Sequence, residues 1–220
     1  MRDLLVTIDG PAGAGKTAVS RRLAQRLDYV YVDTGALYRG VAWEAAQNGI
    51  SCEDAYGLAR LCENLDLTFS PGPGGSRLYC RGVDITEDIR APEISMLASA
   101  VSAMPVVRSA LFDIQRRLGA EKGAVFEGRD MGTVVFPEAE AKFFLTADIE
   151  VRAQRRYREL AGGSGQSLAE VTEEMKRRDA NDSSRAQAPL KPAADAVTID
   201  STRLSLEEVV DTMAGHLLRL

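Results

Sequence analysis

The chain has few of the side chains on which many enzymes depend. Among its 220 residues are one histidine, His216, and three cysteines, Cys52, Cys62 and Cys80. A single histidine close to the C-terminus argues against histidine-based acid–base or nucleophilic catalysis. An odd number of cysteines without a C-x-x-C spacing argues against a disulfide framework and a zinc site, so we expect free thiols.

Long hydrophobic runs and a strong charge excess are also missing. No apolar stretch approaches the roughly 20 residues of a membrane-spanning helix, and the apolar run Leu4–Ile8 is too short for the core of a signal peptide. We therefore expect a soluble, cytoplasmic protein. A net charge of −5 argues against a general binder of nucleic acid or anionic membranes, and we expect neither as a partner.

What the sequence does contain is a glycine-rich phosphate loop. It follows the apolar run Leu4–Ile8 and reads Gly10, Pro11, Ala12, Gly13, Ala14, Gly15, Lys16 and Thr17. Its glycines let backbone N–H groups turn toward an anion, and a helix beginning at Lys16 adds the positive end of its dipole. Lys16 can reach the β- and γ-phosphates, and the Thr17 hydroxyl can ligate magnesium. The loop predicts a nucleoside triphosphate site.

Five short apolar runs alternate with helical segments. Such an alternation predicts an α/β fold with a doubly wound five-stranded parallel sheet flanked by helices. The predicted strands are Leu4–Ile8, Tyr29–Val32, Ala124–Phe126, Lys142–Leu145 and Ala196–Ile199. The predicted helices are Lys16–Leu27, Ala36–Gln47, Val106–Leu118, Ile149–Leu160, Leu168–Arg178 and Leu206–Leu218.

Local signals refine two of these helices. Ser167 and Ser205 are each followed three residues later by glutamate, which predicts a capping box at both helix starts. The last helix carries an apolar stripe that we interpret as core packing rather than a partner surface. The stripe consists of Leu206, Val209, Val210, Met213 and Leu217.

Two stretches interrupt the α/β alternation. Residues Leu65–Asp88 predict a small antiparallel meander with a flexible hairpin at Pro71–Ser76. We predict an inserted subdomain at about 54–104 within a core of 1–53 and 105–220. The Gly/Ser-rich stretch Ala161–Gln166 indicates either the hinge of a mobile lid at about 155–185 or a passive surface loop.

Three polar clusters are candidates for a second ligand site. Asp33–Arg39 follows the second predicted strand, and Glu127–Thr133 follows the third. Ligands of parallel sheets lie at the carboxyl ends of strands, so Arg39 and Arg129 are expected to face a ligand. The third cluster, Arg178–Arg185, could close over phosphates or form surface ion pairs, and the spacing of its residues is compatible with either role.

In these stretches the chain resembles the bacterial cytidylate kinase family. The matching segments run in the family's order and extend over nearly the whole chain. They are Ile8–Thr17, Asp33–Arg39, Glu127–Pro137, Arg178–Arg185 with Ala188–Leu190, and Asp195–Thr202. The resemblance implies ATP-dependent phosphorylation of CMP and dCMP with Mg²⁺, by direct in-line transfer. It also implies that the insert is a monophosphate-binding subdomain.

The same resemblance implies a role for particular residues. Lys16, Arg129, Arg178 and Arg185 would be catalytic, and residues 10–17 would bind ATP. Arg39 and Arg129 would hold the acceptor phosphate, helped by Arg178 and Arg185. Ser99, Arg108 and Asp130 would read the cytosine, and Asp182 would hold the ribose hydroxyls. Thr34, which stands where relatives often have serine, and Tyr38 complete the CMP-binding set.

Other functions remain to be weighed. The nearest is a kinase for another monophosphate, UMP, AMP or dTMP, which only the pocket residues separate from a cytidylate kinase. A GTP-controlled switch protein usually carries an Asn-Lys-x-Asp stretch, which this sequence lacks. An inactive, binding-only relative is a further alternative, although the polar set is intact. We expect a monomer, because no excess apolar surface can be identified from the sequence.

Overall fold

The computed structural model describes residues 3–72, 75–160 and 165–220. They divide into two compact units: unit 1 comprises Met1–Val32 with Glu121–Leu220, and unit 2 comprises Asp33–Ala120. The predicted insert at about 54–104 falls within unit 2. Residues 73–74 of the predicted hairpin and 161–164 of the predicted hinge lie outside the described residues.

The elements occur in the following order along the chain. The strands are β1 (Leu5–Asp9), β2 (Val30–Asp33), β3 (Leu67–Gly72), β4 (Gly75–Cys80), β5 (Val83–Asp84), β6 (Ala124–Glu127), β7 (Ala141–Thr146) and β8 (Val197–Asp200). The helices are α1 (Lys16–Leu27), α2 (Thr34–Gln47), α3 (Ala55–Glu63), α4 (Pro92–Val101), α5 (Pro105–Leu118), α6 (Ile149–Leu160), α7 (Leu168–Ser184) and α8 (Leu206–Leu217). Short 3₁₀ and π-helical turns occupy Asp88–Arg90 and Met131–Val135.

Unit 1 is built on a five-stranded sheet in the order β2-β6-β1-β7-β8, which confirms the predicted architecture. Strand β1 pairs in parallel with both β6 and β7, and β7 pairs in parallel with β8. All five residues of β1 are buried, as expected for a central strand covered on both faces. The register places Ile8 beside Glu127, so β1 and β6 reach the same edge of the sheet with their carboxyl ends.

The core of unit 1 explains why these segments fold as they do. Apolar residues of β1 and β7 pack with those of α1 and α8, including Val6, Leu23, Phe143 and Met213. The apolar stripe predicted for the last helix is buried at Val209, Val210, Met213 and Leu217. Leu206 was wrongly included in that stripe. It is the first residue of α8 and is 40 % exposed.

Three helices differ from the predictions. Helix α7 continues to Ser184 instead of ending at Arg178. The prediction stopped early because the last turns of the helix are polar and show no apolar periodicity. Helices α3 and α4 were not predicted, since both lie in the stretch assigned to the insert. The capping boxes at Ser167 and Ser205 are confirmed, each with both reciprocal hydrogen bonds.

Unit 2 contains the predicted meander, a three-stranded antiparallel sheet in the order β3-β4-β5. The sheet packs on α2 at Gly40, where an added Cβ would lie 3.0–3.1 Å from the side chains of Leu67 and Leu78. Leu37, Val41, Leu58, Leu78 and Leu111 belong to a core that unit 2 forms from its own residues.

The state of the cysteines and the length of the apolar helices were also predicted from the sequence. Cys52, Cys62 and Cys80 are free thiols, and Cys80 is buried. Within residues 3–72, 75–160 and 165–220, no single helix is long and apolar enough to cross a bilayer. The segments Glu93–Val101 and Pro105–Leu118, bent by 96° at their junction, meet the length and composition criteria only when combined.

Candidate active site

The phosphate loop joins β1 to α1 in a conformation that requires glycine. Gly10, Gly13 and Gly15 have φ angles of 148°, 71° and 92°, a region that L side chains rarely adopt. A Cβ at Gly10 would lie 2.0 Å from the Leu145 carbonyl oxygen, and one at Gly13 would lie 2.8 Å from the Arg152 carbonyl oxygen. Residues with a Cβ are therefore disfavoured at these positions, by the backbone angles at all three and by close packing against neighbouring chain at Gly10 and Gly13.

Lys16 lies at the centre of a cluster of positive charge. Its Nζ donates to the Pro11 carbonyl oxygen at 2.7 Å, across the mouth of the loop, and the residue is buried. Burial lowers the pKa of Lys16 most, and the guanidinium groups of Arg129 and Arg178 lower it further. The Glu127 and Asp9 carboxylates act in the opposite direction and raise the pKa of Lys16, so the three cations lie beside two carboxylates. A bound anion would add further negative charge that favours the protonated form of Lys16.

Thr17 is tied to a buried carboxylate. Its hydroxyl donates to Glu127 Oε1 at 2.9 Å, and the Tyr31 hydroxyl donates to Glu127 Oε2 at 2.6 Å. A hydroxyl and a carboxylate are the hard oxygen ligands that magnesium prefers, so the residues present fit this ion. In the part of the chain that the structure describes, no group of three or more His, Cys, Asp or Glu could hold a metal.

Asp9, the last residue of β1, binds the turn that follows Arg129. Asp9 Oδ1 accepts from the Met131 N–H at 2.9 Å, and Oδ2 accepts from the Gly132 N–H at 2.8 Å. Burial raises the pKa of Asp9 to about 6, with the nearby Asp130 carboxylate adding to the effect and the two amides and Lys16 opposing it. The carboxylate therefore connects the strand that precedes the phosphate loop to the second polar cluster.

The second and third polar clusters meet in unit 1. Arg129 Nε donates to Asp182 Oδ2 at 3.1 Å, although the two residues are 53 positions apart in the sequence. The other Asp182 oxygen lies 4.0 Å from Arg185 Nη1, and Arg185 Nη2 donates to the Ala188 carbonyl oxygen at 3.1 Å. Because α7 extends to Ser184, Arg178 and Asp182 lie one turn apart on the same face of a helix.

Two further arginines support the phosphate loop from α6. Arg152 is buried and donates to the carbonyl oxygens of Ala147 and Ala12 and to Asp179 Oδ2, at 2.8, 3.1 and 2.6 Å. Arg155 donates to the Ser201 carbonyl oxygen at 2.8 Å, while the Ser201 hydroxyl donates to the Ala14 carbonyl oxygen at 3.0 Å.

The predicted site residues of unit 2 form a separate set. Asp33 caps α2 by accepting from the Ala36 N–H, and it also accepts from Arg39 Nη2 at 2.8 Å. The Arg108 guanidinium lies 5.9 Å from the centre of the Tyr38 ring, within cation–π range.

The other predicted site residues of unit 2 lie on helices α2, α4 and α5. Thr34 is the first residue of α2 and is 2 % exposed. Arg108 Nη1 lies 3.4 Å from the Ser102 carbonyl oxygen, and the Ser102 hydroxyl donates to the Ser99 carbonyl oxygen at 2.8 Å. The end of α4 and the start of α5 are thus linked through the two positions predicted to read a base.

Sequence reasoning missed several residues that the structure brings into the site. Asp9 and Glu127 were read only as parts of longer motifs, and Arg152 and Arg155 only as members of an arginine-containing helix. A signal for the first two was available, because each is a carboxylate that ends a buried apolar strand. No comparable signal marked Arg152 or Arg155, because most of their partners, such as Ala12 and Ser201, are far away in the sequence.

A parallel sheet with a glycine-rich loop after its central strand, and a lysine and arginines gathered beside that loop, defines a P-loop phosphotransferase. The fold agrees with a solved structure, that of shikimate kinase from Acinetobacter baumannii in complex with shikimate. The two superpose with a TM-score of 0.51 and 16 % sequence identity, covering 99 % of this chain and 94 % of the other.

The chain belongs to the cytidylate kinase family. The family model for cytidylate kinase matches residues 6–218. The cytidylate kinase of Geobacter sp. (strain M21) is 49 % identical, covering 96 % of this chain and 91 % of that protein. The cytidylate kinase of Geobacter sulfurreducens is 50 % identical with the same coverage.

Proposed function

We propose that this chain transfers the γ-phosphoryl group of ATP to CMP and dCMP, producing ADP and the corresponding diphosphates. Membership of the cytidylate kinase family over residues 6–218 is the observation that carries this proposal. It also favours cytidine monophosphates over UMP, AMP or dTMP. Two guanidinium groups, those of Arg129 and Arg178, close enough to affect the pKa of the buried Lys16 support a reaction between two phosphate-bearing ligands.

On the donor side, residues 10–17 would bind the ATP phosphates. The positive φ angles of the glycines turn the loop N–H groups toward an anion, and Lys16 adds a charge at the β- and γ-phosphates. Lys16 Nζ also donates to the Pro11 carbonyl oxygen, within the same loop. Bound phosphate would supply the negative charge that favours the protonated form of Lys16.

Magnesium would be held on the same side, by Thr17 with Glu127 beside it. When bound, the ion neutralises charge on the β- and γ-phosphates and helps to align them. Tyr31 restrains the Glu127 carboxylate through its second oxygen and would keep that group oriented toward Thr17.

On the acceptor side, Arg129, Arg178 and Arg185 would hold the monophosphate. Guanidinium groups bind phosphate oxygens in pairs and keep their charge at every physiological pH. The acceptor oxygen is already anionic, so in-line attack needs alignment and charge neutralisation rather than a general base. Asp182 would bind the ribose hydroxyls, and Asp130 would take part in reading the cytosine.

Residues of unit 2 would complete recognition of the acceptor. We propose that Thr34, Tyr38 and Arg39 contact the nucleotide at its phosphate end and that Ser99 and Arg108 contact the cytosine. Residues of about 155–185 would act as a lid that excludes water during transfer, which limits wasteful hydrolysis of ATP. The natural compartment for ATP and CMP as substrates is the cytoplasm, where we place this activity.

The test is a panel of monophosphates with ATP and Mg²⁺. Purified protein is given CMP, dCMP, UMP, AMP or dTMP, ADP release is followed by a coupled assay, and products are separated by ion-exchange chromatography. We expect CDP and dCDP as the main products. Reactions without acceptor and reactions with the Lys16→Ala variant measure the background. Faster turnover of AMP, dTMP or UMP than of either cytidine nucleotide would overturn the proposal.

A further inference from the structure

Asp9 is a charged residue in a place where the fold alone would favour an apolar one. It ends the buried central strand and is 4 % exposed. Both of its carboxylate oxygens are used, one by the Met131 N–H at 2.9 Å and the other by the Gly132 N–H at 2.8 Å. The roles proposed above for the donor and acceptor sites do not assign Asp9 a function.

The contact joins two segments that matter to both ligands. The residue after Asp9 is Gly10, which opens the phosphate loop, and the residues before Met131 are Arg129 and Asp130. The turn is compact beyond this contact, because the Val134 N–H donates to the Asp130 carbonyl oxygen at 2.9 Å. Movement of the Met131 amide would therefore be passed to Asp130 and to Arg129 next to it.

Close packing leaves the turn little room to shift. A Cβ placed on Gly132 would lie 3.0 Å from Thr7 Oγ1, 3.3 Å from Lys142 Cδ and 3.4 Å from Asp9 Oδ2. Glycine at this position lets the backbone pack closely against the Thr7 side chain. The buried charge carries a cost, since burial raises the pKa of Asp9 despite two amide hydrogen bonds. A costly charge with two well-made backbone contacts indicates a role in positioning.

We propose that Asp9 is a positioning residue for the acceptor side of the reaction, holding the Met131–Gly132 turn so that Arg129 and Asp130 are aligned with the phosphate loop. The inference rests on the proposed function, because it concerns how the acceptor is aligned for phosphoryl transfer. Asp9 acts through the turn and touches neither the donor nor the acceptor in this proposal.

The Asp9→Asn variant tests it directly. The asparagine carbonyl oxygen can replace one acceptor, but its NH₂ group must face the second amide N–H, so one contact becomes repulsive. We expect kcat/KM for CMP to fall at least about tenfold, since small misplacements of reacting groups have effects of this size. The KM for ATP should change less than about threefold, because neighbouring backbone holds the loop glycines independently of Asp9.

Glu140→Gln is the matched control. Glu140 Oε2 accepts from the N–H of Leu5, at the other end of the same strand, at 3.0 Å. Like Asp9→Asn, this variant replaces a carboxylate that accepts a hydrogen bond from a backbone amide. The amide bound by Glu140, that of Leu5, is remote from the phosphate loop. We expect it to keep the wild-type kinetic constants for both substrates. A general loss of strand stability would affect the two variants alike, whereas positioning predicts a selective loss for CMP in Asp9→Asn alone.

A second variant tests the same contact from its other side and serves if Asp9→Asn fails to fold. Gly132→Ala should push the turn from Thr7 and Lys142 by a few tenths of an ångström, which shifts the Gly132 N–H relative to Asp9. We expect kcat/KM for CMP to fall with little change for ATP. If both substitutions act through one contact, kcat/KM for CMP in the double variant should be no lower than in the more impaired single variant. If the fold-loss in kcat/KM of the double variant equals the product of the two single losses, the proposal is overturned.

The outcomes separate this inference from the proposed function. If the wild-type protein does not phosphorylate CMP, the proposed function is wrong whatever Asp9 does. If the wild type is active and Asp9→Asn retains its kcat/KM for CMP, the function stands and the positioning role is overturned. Equal losses for CMP and ATP in Asp9→Asn would also overturn it, because they would indicate a general structural defect.

Discussion

At the scale of single residues, the site is characterised by charged groups held away from water. Asp9, Lys16 and Glu127 are each at most 8 % exposed, and all three lie in unit 1. Buried charges are strongly unfavourable unless they are paired or hydrogen-bonded. Here each one has partners: backbone amides for Asp9, a carbonyl oxygen for Lys16, and two hydroxyl groups for Glu127. These hydrogen bonds hold the three buried groups in fixed positions beside the phosphate loop.

Removal of a cation from this cluster should slow transfer. We expect Lys16→Ala and Arg129→Ala each to lose about 2–4 kcal/mol of transition-state stabilisation, as for other preorganised charge-stabilising groups. The measurement is kcat/KM for CMP and for ATP in the purified variants. Arg22→Ala is the control, because Arg22 is an exposed cation that pairs with an exposed carboxylate, that of Glu207, outside the proposed site. Turnover close to that of the wild type in either test variant would contradict the assigned roles.

Asp182 should matter for both the sugar and Arg129. Asp182→Ala removes the proposed ribose contact and the acceptor of the Arg129 Nε hydrogen bond at 3.1 Å. We expect kcat/KM to fall for CMP and for dCMP, measured side by side. Asp211→Ala, in which an exposed carboxylate on α8 is removed, should leave both values unchanged. Unaltered kinetics in Asp182→Ala for both nucleotides would remove the assignment.

Asp9 should make the stability of the protein fall with rising pH. Burial raises its pKa from 3.8 to about 6, with Lys16 and Asp130 as the nearby charges. The native state thus binds this proton more tightly than the unfolded state, so the free energy of unfolding decreases as the pH rises between these values. The shift corresponds to about 3 kcal/mol.

Urea unfolding of the wild type and Asp9→Asn from pH 4 to pH 7 measures this effect. Other carboxylates titrate in both proteins, so the difference between the two isolates Asp9. As the pH rises from 4 to 7, we expect the wild type to lose about 3 kcal/mol of unfolding free energy relative to Asp9→Asn. Parallel pH profiles would show that the native pKa of Asp9 is close to its ordinary value.

At the scale of secondary structure, apolar runs and start signals predicted most elements well. The five strands of the parallel sheet and the helices α1 and α6 appear where the pattern indicated. Helix α3 was missed although Asp54, its N-cap, and the buried Leu58 and Leu61 were signals for it. The end of α7 could not be predicted from apolar periodicity, because its last turn is stabilised by polar contacts made in the folded state.

The phosphate loop is the element whose conformation is most sensitive to substitution. Gly10→Ala would place a Cβ 2.0 Å from the Leu145 carbonyl oxygen at a φ of 148°, so the loop must move away from β7. We expect ATP to lose its stabilising effect on thermal unfolding, since a ligand stabilises only the state that binds it. The melting temperature with and without ATP and Mg²⁺ is the measurement.

Gly49→Ala is the control for backbone strain. Gly49 also has a positive φ, 65°, but nothing lies within 4 Å of an added Cβ. It should cost about 1–2 kcal/mol of stability and leave the shift caused by ATP intact. A full ATP shift in Gly10→Ala would show that the loop does not depend on this close approach.

At the scale of the whole molecule, strand order determines which residues meet. The order β2-β6-β1-β7-β8 puts β1 between two strands that follow it by more than 110 residues. Their carboxyl ends bring Asp9 to the Met131 turn and Thr17 to Glu127. Unit 2 has a core of its own, so its helices and meander fold around contacts within Asp33–Ala120.

The oligomeric state remains a prediction, and we propose a monomer of 23.8 kDa. Among the described residues, the most exposed large apolar side chains are those of Val30, Tyr56, Val83, Leu218 and Leu220, and apart from the last two they are far apart in the sequence. Scattered apolar residues of this kind are normal on monomers. Size-exclusion chromatography with light scattering should give one mass across a hundredfold range of protein concentration. A mass that doubles with concentration would contradict the prediction.

The phosphate loop, the alternation of strands and helices, and the family of the chain could all be predicted from the order of its residues. These features depend on residue types at short spacings, which local backbone preferences and hydrophobic burial translate into structure. The contacts of Asp9 with the Met131 turn, of Glu127 with Thr17 and of Arg129 with Asp182 became visible only in the folded chain. Such contacts join positions 53 to 122 residues apart, and no local pattern encodes them, because they depend on the order and register of strands in the folded sheet.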